Sequence, residues 1–415
     1  MKIAIVGTGI SAMTAAYLLH RDHDITVYEK ADYVGGHTNT LDVHLAGKTY
    51  AVDTGFIVFN DWTYPNFCRL IDRLGVPWRS STMSFSVCCE RTGLAYNGGS
   101  IAGLFAQKRN ALSPAFLGML RDILRFNRLA KRFADEGDPS ITMRAFLDRH
   151  RLGKRFEQQY LIPITAAIWS ADPATLSTFP MRFLAEFLRN HGMLNCWNRP
   201  TWRTITDGSR NYMTQLTAPF ADRIRLREPV LAVRRIDGGV AVDSASAIDQ
   251  RYDHVVLGCH SDQALAILGG DATEDERAAL SAIPYQPNEA ILHTDRSVLP
   301  QRRSCWAAWN YRIPREHGRP VALTYNMNIL QGLETPEPVC VTLNERERIA
   351  PDKVLRVIRY EHPMFGPRRA DAHRLFDTIN HVKGVSFCGA YWGYGFHEDG
   401  VVSALRAVAP LGVSL

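Results

Sequence analysis

The chain has 415 residues, 46% hydrophobic, 10% aromatic and 22% charged. That is the profile of a folded globular protein long enough for two or three packed units, and it excludes a disordered or fibrous chain. A formal charge of +6, from 48 cations against 42 anions, with no long Lys/Arg block, excludes nucleic acid as an expected partner and leaves an anionic cofactor, substrate or lipid surface open.

The first residues carry the sharpest signal. Ile3–Val6 reads as a buried parallel strand. It runs into Gly7-Thr8-Gly9-Ile10-Ser11-Ala12, an apolar helical stretch over Met13–His20, and a second strand Asp24–Tyr28 that ends at Glu29 and Lys30. This is G-x-G-x-x-A in the strand–turn–helix–strand context of a dinucleotide site. Gly7 makes the tight turn, Gly9 clears the approach of a pyrophosphate, and Ala12 allows close helix–strand packing. The amides of Ile10 and Ser11 open the helix toward the phosphates, and Glu29 is placed to hold ribose hydroxyls. The glycines at 7 and 9 also interrupt the N-terminal apolar run where a secretory signal would be continuous.

Tyr33–Thr40 reads Y-V-G-G-H-T-N-T, a second glycine pair for which a nicotinamide enzyme has no general need. Gly35, Gly36, His37 and Thr38 resemble the extended FAD fingerprint of the amine oxidase and phytoene desaturase flavoproteins, with His37 where that superfamily commonly has Arg. Val52–Phe56 resembles the D-x-G strand that passes the flavin in these proteins, with Gly55 and Phe56 beside the ring. The resemblance implies an α/β fold: a discontinuous Rossmann-like FAD-binding domain over 1–75, 203–285 and 375–415, with an inserted α+β substrate domain over 76–202 and 286–374.

Farther along, Pro114–Phe133 predicts an amphipathic helix with a basic face, and Arg144–Arg155 a second basic cluster. Either this face is solvated over a packed helix, or it is a lid or membrane-surface element giving peripheral membrane contact. Helices are expected over Gln158–Ala171 and Phe179–Leu194, and strands over Val321–Leu330 and Pro338–Leu343. Trp202–Leu216 and Ile224–Arg235 resemble the family's return to the FAD domain, which puts the backbone at Val230 against adenine. Asp253–Cys259 is expected as a further strand of the same sheet.

At the C-terminus a strand over Gly384–Gly389 leads into an aromatic, glycine-rich loop and an apolar helix from Val401. The loop is similar to the family's terminal segment, with Asp399-Gly400 on its E-G and Ser403 on its serine; Ala390 stands where an acid usually follows the strand glycine, Gly389. The resemblance places Gly389, Asp399, Gly400 and Val401 at the cofactor. His397 and Glu398 are candidate acid–base groups, and Trp392 and Tyr394 candidate aromatic walls at the reacting centre. For Glu398 and Asp399, capping of the following helix is the competing expectation. Trp306, Trp309, Tyr311 and Phe396 are further candidates for an apolar pocket.

Several strings, among them Gly36–Thr40, Ile168-Trp169-Ser170 and Trp309-Asn310-Tyr311, resemble a bacterial branch of predicted NAD/FAD-binding proteins often encoded near cyclopropane-fatty-acid synthases. That neighbourhood implies lipid chemistry by association. No second G-x-G-x-x-G follows a strand, so electrons are expected to pass to an external acceptor or back to the product. Amine oxidases of the superfamily often place a lysine near the flavin, and none occurs over 293–311. The leading expectation is therefore FAD-dependent dehydrogenation of an apolar, fatty-acyl lipid. The alternatives are an amine oxidase producing hydrogen peroxide and a non-catalytic flavin- or lipid-binding subunit. The eight cysteines contain no C-x-x-C, so no metal site is expected and they read as thiols of a reducing, cytoplasmic compartment. No apolar run reaches the roughly 18 residues of a membrane span.

Overall fold

A computed structural model of the chain describes residues 1–316, 322–366 and 368–415. Five parallel strands form one sheet in the order Ile224–Arg225, Asp24–Tyr28, Lys2–Val6, His254–Leu257 and Val385–Phe387. Alternate residues of the first strand serve opposite faces, which explains its unbroken apolar run. Ile3 and Ile5 join a core with helices Ile10–Leu19, Pro65–Leu74, Arg210–Thr217 and His397–Val408. Ala4 and Val6 join a second core with helices Ser261–Leu268, Glu274–Ser281 and Arg369–Ile379.

The segment expected to return as one unit over Ile224–Arg235 is split. Ile224–Arg225 edges the parallel sheet, while Val230–Ile236 belongs to a separate antiparallel sheet with Gly239–Ser244 and Gln250–Tyr252. The tight turn at Arg227, with φ of 55°, separates them.

A seven-stranded sheet faces this layer. Its order is Val354–Pro363, Tyr285–His293, Cys340–Leu343, Leu323–Asn326, Trp309–Ile313, Phe85–Cys89 and Leu94–Asn97. Its pairs are antiparallel except Trp309–Ile313 with Phe85–Cys89. The 23-residue helix Pro114–Glu136 buries Phe116, Met119, Phe126 and Ala130 in the core under this sheet, together with helices Met143–Arg149, Ile162–Trp169 and Met181–Asn190. The strand expected over Val321–Leu330 is shorter: it runs over Leu323–Asn326 and gives way to a helical turn Met327–Leu330, because the Asn326 side chain accepts the Ile329 amide and caps that turn. Val321 lies outside the described residues. The C-terminal helix begins at His397, four residues before the expected Val401. Among the described residues, no helix is long and apolar enough to cross a membrane.

Candidate active site

The parallel sheet ends at a glycine turn. Gly7 has φ of +98°, and a Cβ there would lie 3.2 Å from the Gly258 carbonyl oxygen, so a side chain is excluded by conformation and by space. A Cβ at Gly9 would meet nothing within 4 Å; it would project into a large cavity that Gly7, Gly9, Ile10 and Ser11 line. The helix Ile10–Leu19 has no side-chain cap and no acid in its first turn. Its free amides and positive dipole end therefore favour an anion. Ala12 sits behind the turn against Gly258, where an added Cβ would come within 2.6 Å of the Ala12 Cβ. Gly258 thus shares the packing role expected of Ala12; the glycine ending the strand His254–Leu257 was its only sequence signal. Glu29 and Lys30 line the cavity too, and the Glu29 carboxylate accepts from the Thr8 hydroxyl at 2.6 Å and the Ala31 amide at 2.8 Å.

The second glycine pair lies directly over the first. Gly36, with φ of +58°, would bring a Cβ within 3.3 Å of the Gly9 Cα, and a Cβ on Gly55 would meet the His37 carbonyl oxygen at 2.3 Å. Gly55 is therefore needed for the approach of two chain segments. Gly35, Gly36, His37, Gly55, Phe56 and Val230 all line the cavity. The His37 ring stacks on Tyr360 with centroids 4.8 Å apart, beside His362 and His260. Burial, aided by His260, lowers His37 to about 4, and its buried Nε2 has no partner among the described residues.

Asp53, two residues before Gly55, is fully buried. Its carboxylate accepts from the hydroxyls of Thr40 and Ser209, the Ser209 amide and the Gln331 side chain. It ties the D-x-G segment to the start of the helix Arg210–Thr217 and the end of the turn Met327–Leu330. Burial nevertheless raises it to about 6.

The C-terminal loop departs most from expectation. Gly389, Tyr394 and His397 line the cavity. The His397 ring stacks on Phe56 with centroids 3.5 Å apart, and its Nε2 pairs with the Tyr212 hydroxyl at 2.8 Å and the Thr38 hydroxyl at 3.1 Å. Thr38 thus holds His397 and does not line the cavity. Burial pushes His397 well below the ordinary imidazole value, so it is neutral.

Glu398 is not placed for acid–base work. Its carboxylate accepts from the Asn66 and Phe67 amides and the Asn66 side chain, capping the neighbouring helix Pro65–Leu74. Asp399 likewise accepts from the Phe396 amide at 2.9 Å and caps its own helix; it is turned away from the cofactor cavity, and burial raises it to about 6. Gly400 is a packing glycine, since a Cβ there would lie 2.8 Å from Ile10 and Ser11 side-chain atoms. Val401 is fully buried beneath the same helix crossing. Trp392 packs edge-on against Phe376 behind the loop and does not reach the cavity, whereas Trp309 and Phe396 do. Trp306 donates instead to the Pro300 carbonyl, and Tyr311 is buried in its sheet. Ser403 accepts the Gly389 amide at 2.9 Å, fastening the strand end to the helix.

The same cavity, about 1330 Å³ in volume, continues from the glycine turns into the space beneath the seven-stranded sheet. This exceeds the roughly 300–1,000 Å³ of a site for one ordinary ligand, which leaves room for a cofactor and a second molecule. The far half is walled by Tyr96, Tyr160, Ile168, Trp169, Phe187 and Tyr325. Among the polar residues that also line the cavity there, which include Ser84, Ser170 and Arg199, His191 is the buried imidazole, and it has no sequence signal because a single histidine at a helix end has no motif around it. The His191 Nδ1 bonds to the Phe187 carbonyl at 3.0 Å, and the ring stacks on Phe187 at 3.9 Å. A carbonyl can only accept, so Nδ1 carries the proton and Nε2 keeps its lone pair. Burial lowers His191 to about 4.

These buried groups set the acid stability. His37, His191, His254, His260, His293 and His373 are each lowered by burial from 6.5 to about 4, His362 to about 3 and His397 well below 6.5, whereas Asp53 and Asp399 are raised from 3.8 to about 6. Near pH 5 the unfolded chain binds these eight histidine protons that the folded chain refuses, and the folded chain holds the two aspartate protons that the unfolded chain has lost. The histidines outweigh the aspartates, so stability rises with pH through this window. The urea midpoint is expected to fall as pH drops from 6.5 to 4; a constant or rising midpoint contradicts the balance.

The open space at Gly9, the uncapped helix end and the unpartnered His37 Nε2 fit a pyrophosphate such as that of FAD, whose ribose hydroxyls Glu29 would hold. The fold and this cradle define an FAD-dependent oxidoreductase. The profile of the flavin containing amine oxidoreductase family matches residues 9–411, and the chain belongs to that family. Among solved structures it is similar to cyclohexylamine oxidase from Brevibacterium oxydans IH-35A, with a TM-score of 0.72 and 16% identity over 99% of this chain and 98% of that one. A putrescine oxidase bound to putrescine gives 0.68 at 15% identity over 99% of each chain. A CLA-producing fatty acid isomerase from P. acnes gives 0.68 at 15% identity over 98% of each. A search of curated proteins finds no match.

Proposed function

We propose that the protein dehydrogenates an apolar, fatty-acyl lipid substrate, with the cofactor held by segments 1–75, 203–285 and 375–415 and the acyl chain by 76–202 and 286–374. The observation that carries this reading is the chemistry of the cavity's far half. The acids lining the cavity among the described residues are Glu29, at the glycine turn, and Glu361, which lies 3.4 Å from His260. An ammonium in the aromatic half would meet no carboxylate, and an unpaired charge is costly to bury. An alkyl chain loses nothing there and gains about 0.8 kcal/mol per buried CH₂. The fatty acid isomerase supports the reading as an acyl-substrate protein on the same fold.

Bound FAD supplies the hydride acceptor. The chain's residues do the rest. Phe187, Trp169 and Tyr160 exclude water and orient the alkyl segment. His191 Nε2, unprotonated at neutral pH, takes the proton from the carbon adjacent to the one losing hydride, so that the pair of C–H bonds becomes one C=C bond. An external electron acceptor then restores the oxidised enzyme.

Amine oxidation is the second reading, favoured by the aromatic walls, which can also face a cation, and by the two amine oxidases of the same fold. Anaerobic mixing of the FAD-loaded protein with detergent-dispersed bacterial phospholipid is expected to bleach the visible flavin band, and a panel of primary amines is not. Bleaching by an amine alone, with hydrogen peroxide formed in air, would reverse the order of the two readings.

A further inference from the structure

The surface beside the cavity mouth has a composition that the active site does not explain. On the helix Pro114–Glu136, Leu117, Arg121, Leu124, Arg128 and Lys131 are all exposed. Their spacings of three and four residues put them on one stripe, opposite the buried Phe116, Met119, Phe126 and Ala130. Leu117 is 44% and Leu124 56% exposed. Among the described residues, Arg125, Arg128, Lys131 and Arg132 form no salt bridge. Arg121 has a long contact, 3.9 Å, to Asp122, which is buried and accepts the Gly153 amide, and Asp135 pairs with Arg189.

The segment preceding this helix has the same composition. Ile101 is 76% and Leu112 87% exposed, and Lys108 and Arg109 between them add two more exposed cations. Immediately before Ile101, the exposed Gly98 and Gly99 line the active-site cavity. Four more exposed lining residues, Ser80, Thr82, Arg199 and Thr201, come from segments joined by the pairing of Trp78–Ser80 with Trp202–Ile205, while a separate exposed set, Lys30, Tyr33, Leu231, Ala266, Arg359 and Glu361, lines the cofactor half. Two exposed indoles flank this lip: Trp78 at 39% and Trp197 at 84%.

We propose that this face docks on an anionic phospholipid bilayer. Isolated leucines on a surface are ordinary, but exposed aliphatics on one stripe with unpaired cations, and tryptophans at the same edge, match the interfacial region of such a membrane. Anionic head groups complement Arg121, Arg128 and Lys131, while Leu117, Leu124, Leu112 and Ile101 enter the acyl boundary. The mouth at Gly98–Gly99 then opens toward the lipid. Passage of an acyl chain through that mouth rests on the proposed function; docking itself does not.

The test is flotation of the FAD-loaded protein with phosphatidylcholine vesicles, with and without phosphatidylglycerol. The wild type is expected to float with the phosphatidylglycerol vesicles at low salt, to be released at high salt, and to stay behind with phosphatidylcholine alone. Arg121→Glu with Arg128→Glu should weaken binding by at least about tenfold, and Leu117→Asp with Leu124→Asp should also abolish flotation. Arg251→Glu, an exposed cation on another face, should float as the wild type does. Unchanged flavin content in every variant shows that folding is intact. Equal flotation with neutral vesicles, wild-type flotation of both double variants, or a dimer that the leucine variant dissociates would overturn the proposal. Turnover of detergent-dispersed lipid, measured on the same variants, separates the readings: lost flotation with retained turnover is a docking defect alone, and absent turnover in the wild type with normal flotation rejects only the proposed reaction.

Discussion

Gly9→Asp is expected to give folded but colourless protein. The backbone at Gly9, with φ of −65° and ψ of 170°, is open to any residue, and it is the cap position of the helix Ile10–Leu19. An aspartate there caps that helix and adds about a few tenths of a kcal/mol of stability over glycine, so a folding defect is not the expected outcome. The carboxylate would stand in the open space that the turn keeps clear, where the pyrophosphate approaches. Two unit charges about 4 Å apart repel by about 4 kcal/mol near a protein surface, roughly a thousandfold in affinity. The checks are the ratio of flavin to protein absorbance after purification and the thermal midpoint without cofactor. Yellow protein with wild-type flavin content would refute the placement of the cofactor.

His191→Gln is expected to slow substrate-dependent flavin bleaching by about 10²- to 10⁴-fold, the usual worth of a positioned general base. Gln can still donate to the Phe187 carbonyl, so the helix end and the cavity shape persist, but it cannot accept a proton at neutral pH. Lipid affinity, read by equilibrium titration, should change little, because the acyl chain is held by the aromatic walls. A variant that binds lipid weakly but bleaches normally when saturated would make His191 a wall residue and remove it from proton transfer.

The parts of the site that were legible in the sequence are those made from contiguous backbone. Gly7, Gly9 and Ala12 act through φ, clearance and packing within a few residues, and the alternation of Ile3–Val6 between two cores reads directly as a strand buried on both faces. The misread residues have partners far along the chain. Glu398 looked like a free loop acid because its three donors belong to Asn66 and Phe67, which no local pattern connects to it. Asp399 follows the capping expectation for the same residue pair. The network around Asp53 draws on Thr40, Ser209 and Gln331, and only the tertiary fold collects them. The aromatic loop was recognised as a unit, but the helical turn Ala390–Trp392 and the bend at Gly393 turn its aromatics to different sides, so Tyr394 reaches the cavity while Trp392 supports it from behind. His191 acquires its tautomer and its place from the turn that ends Met181–Asn190 and from the ring of Phe187, neither of which has a sequence signature.

Product analysis after a single anaerobic turnover tests the central claim most directly. The FAD-loaded protein is mixed with a limiting amount of a saturated or monounsaturated acyl phospholipid, and the extracted lipid is weighed by mass spectrometry against the fraction of flavin bleached. The account predicts one hydrogen pair lost from the acyl chain for each flavin bleached, with the head group unchanged. Lipid recovered at its original mass with the flavin fully oxidised, whether unreacted or with a double bond moved along the chain, would contradict it.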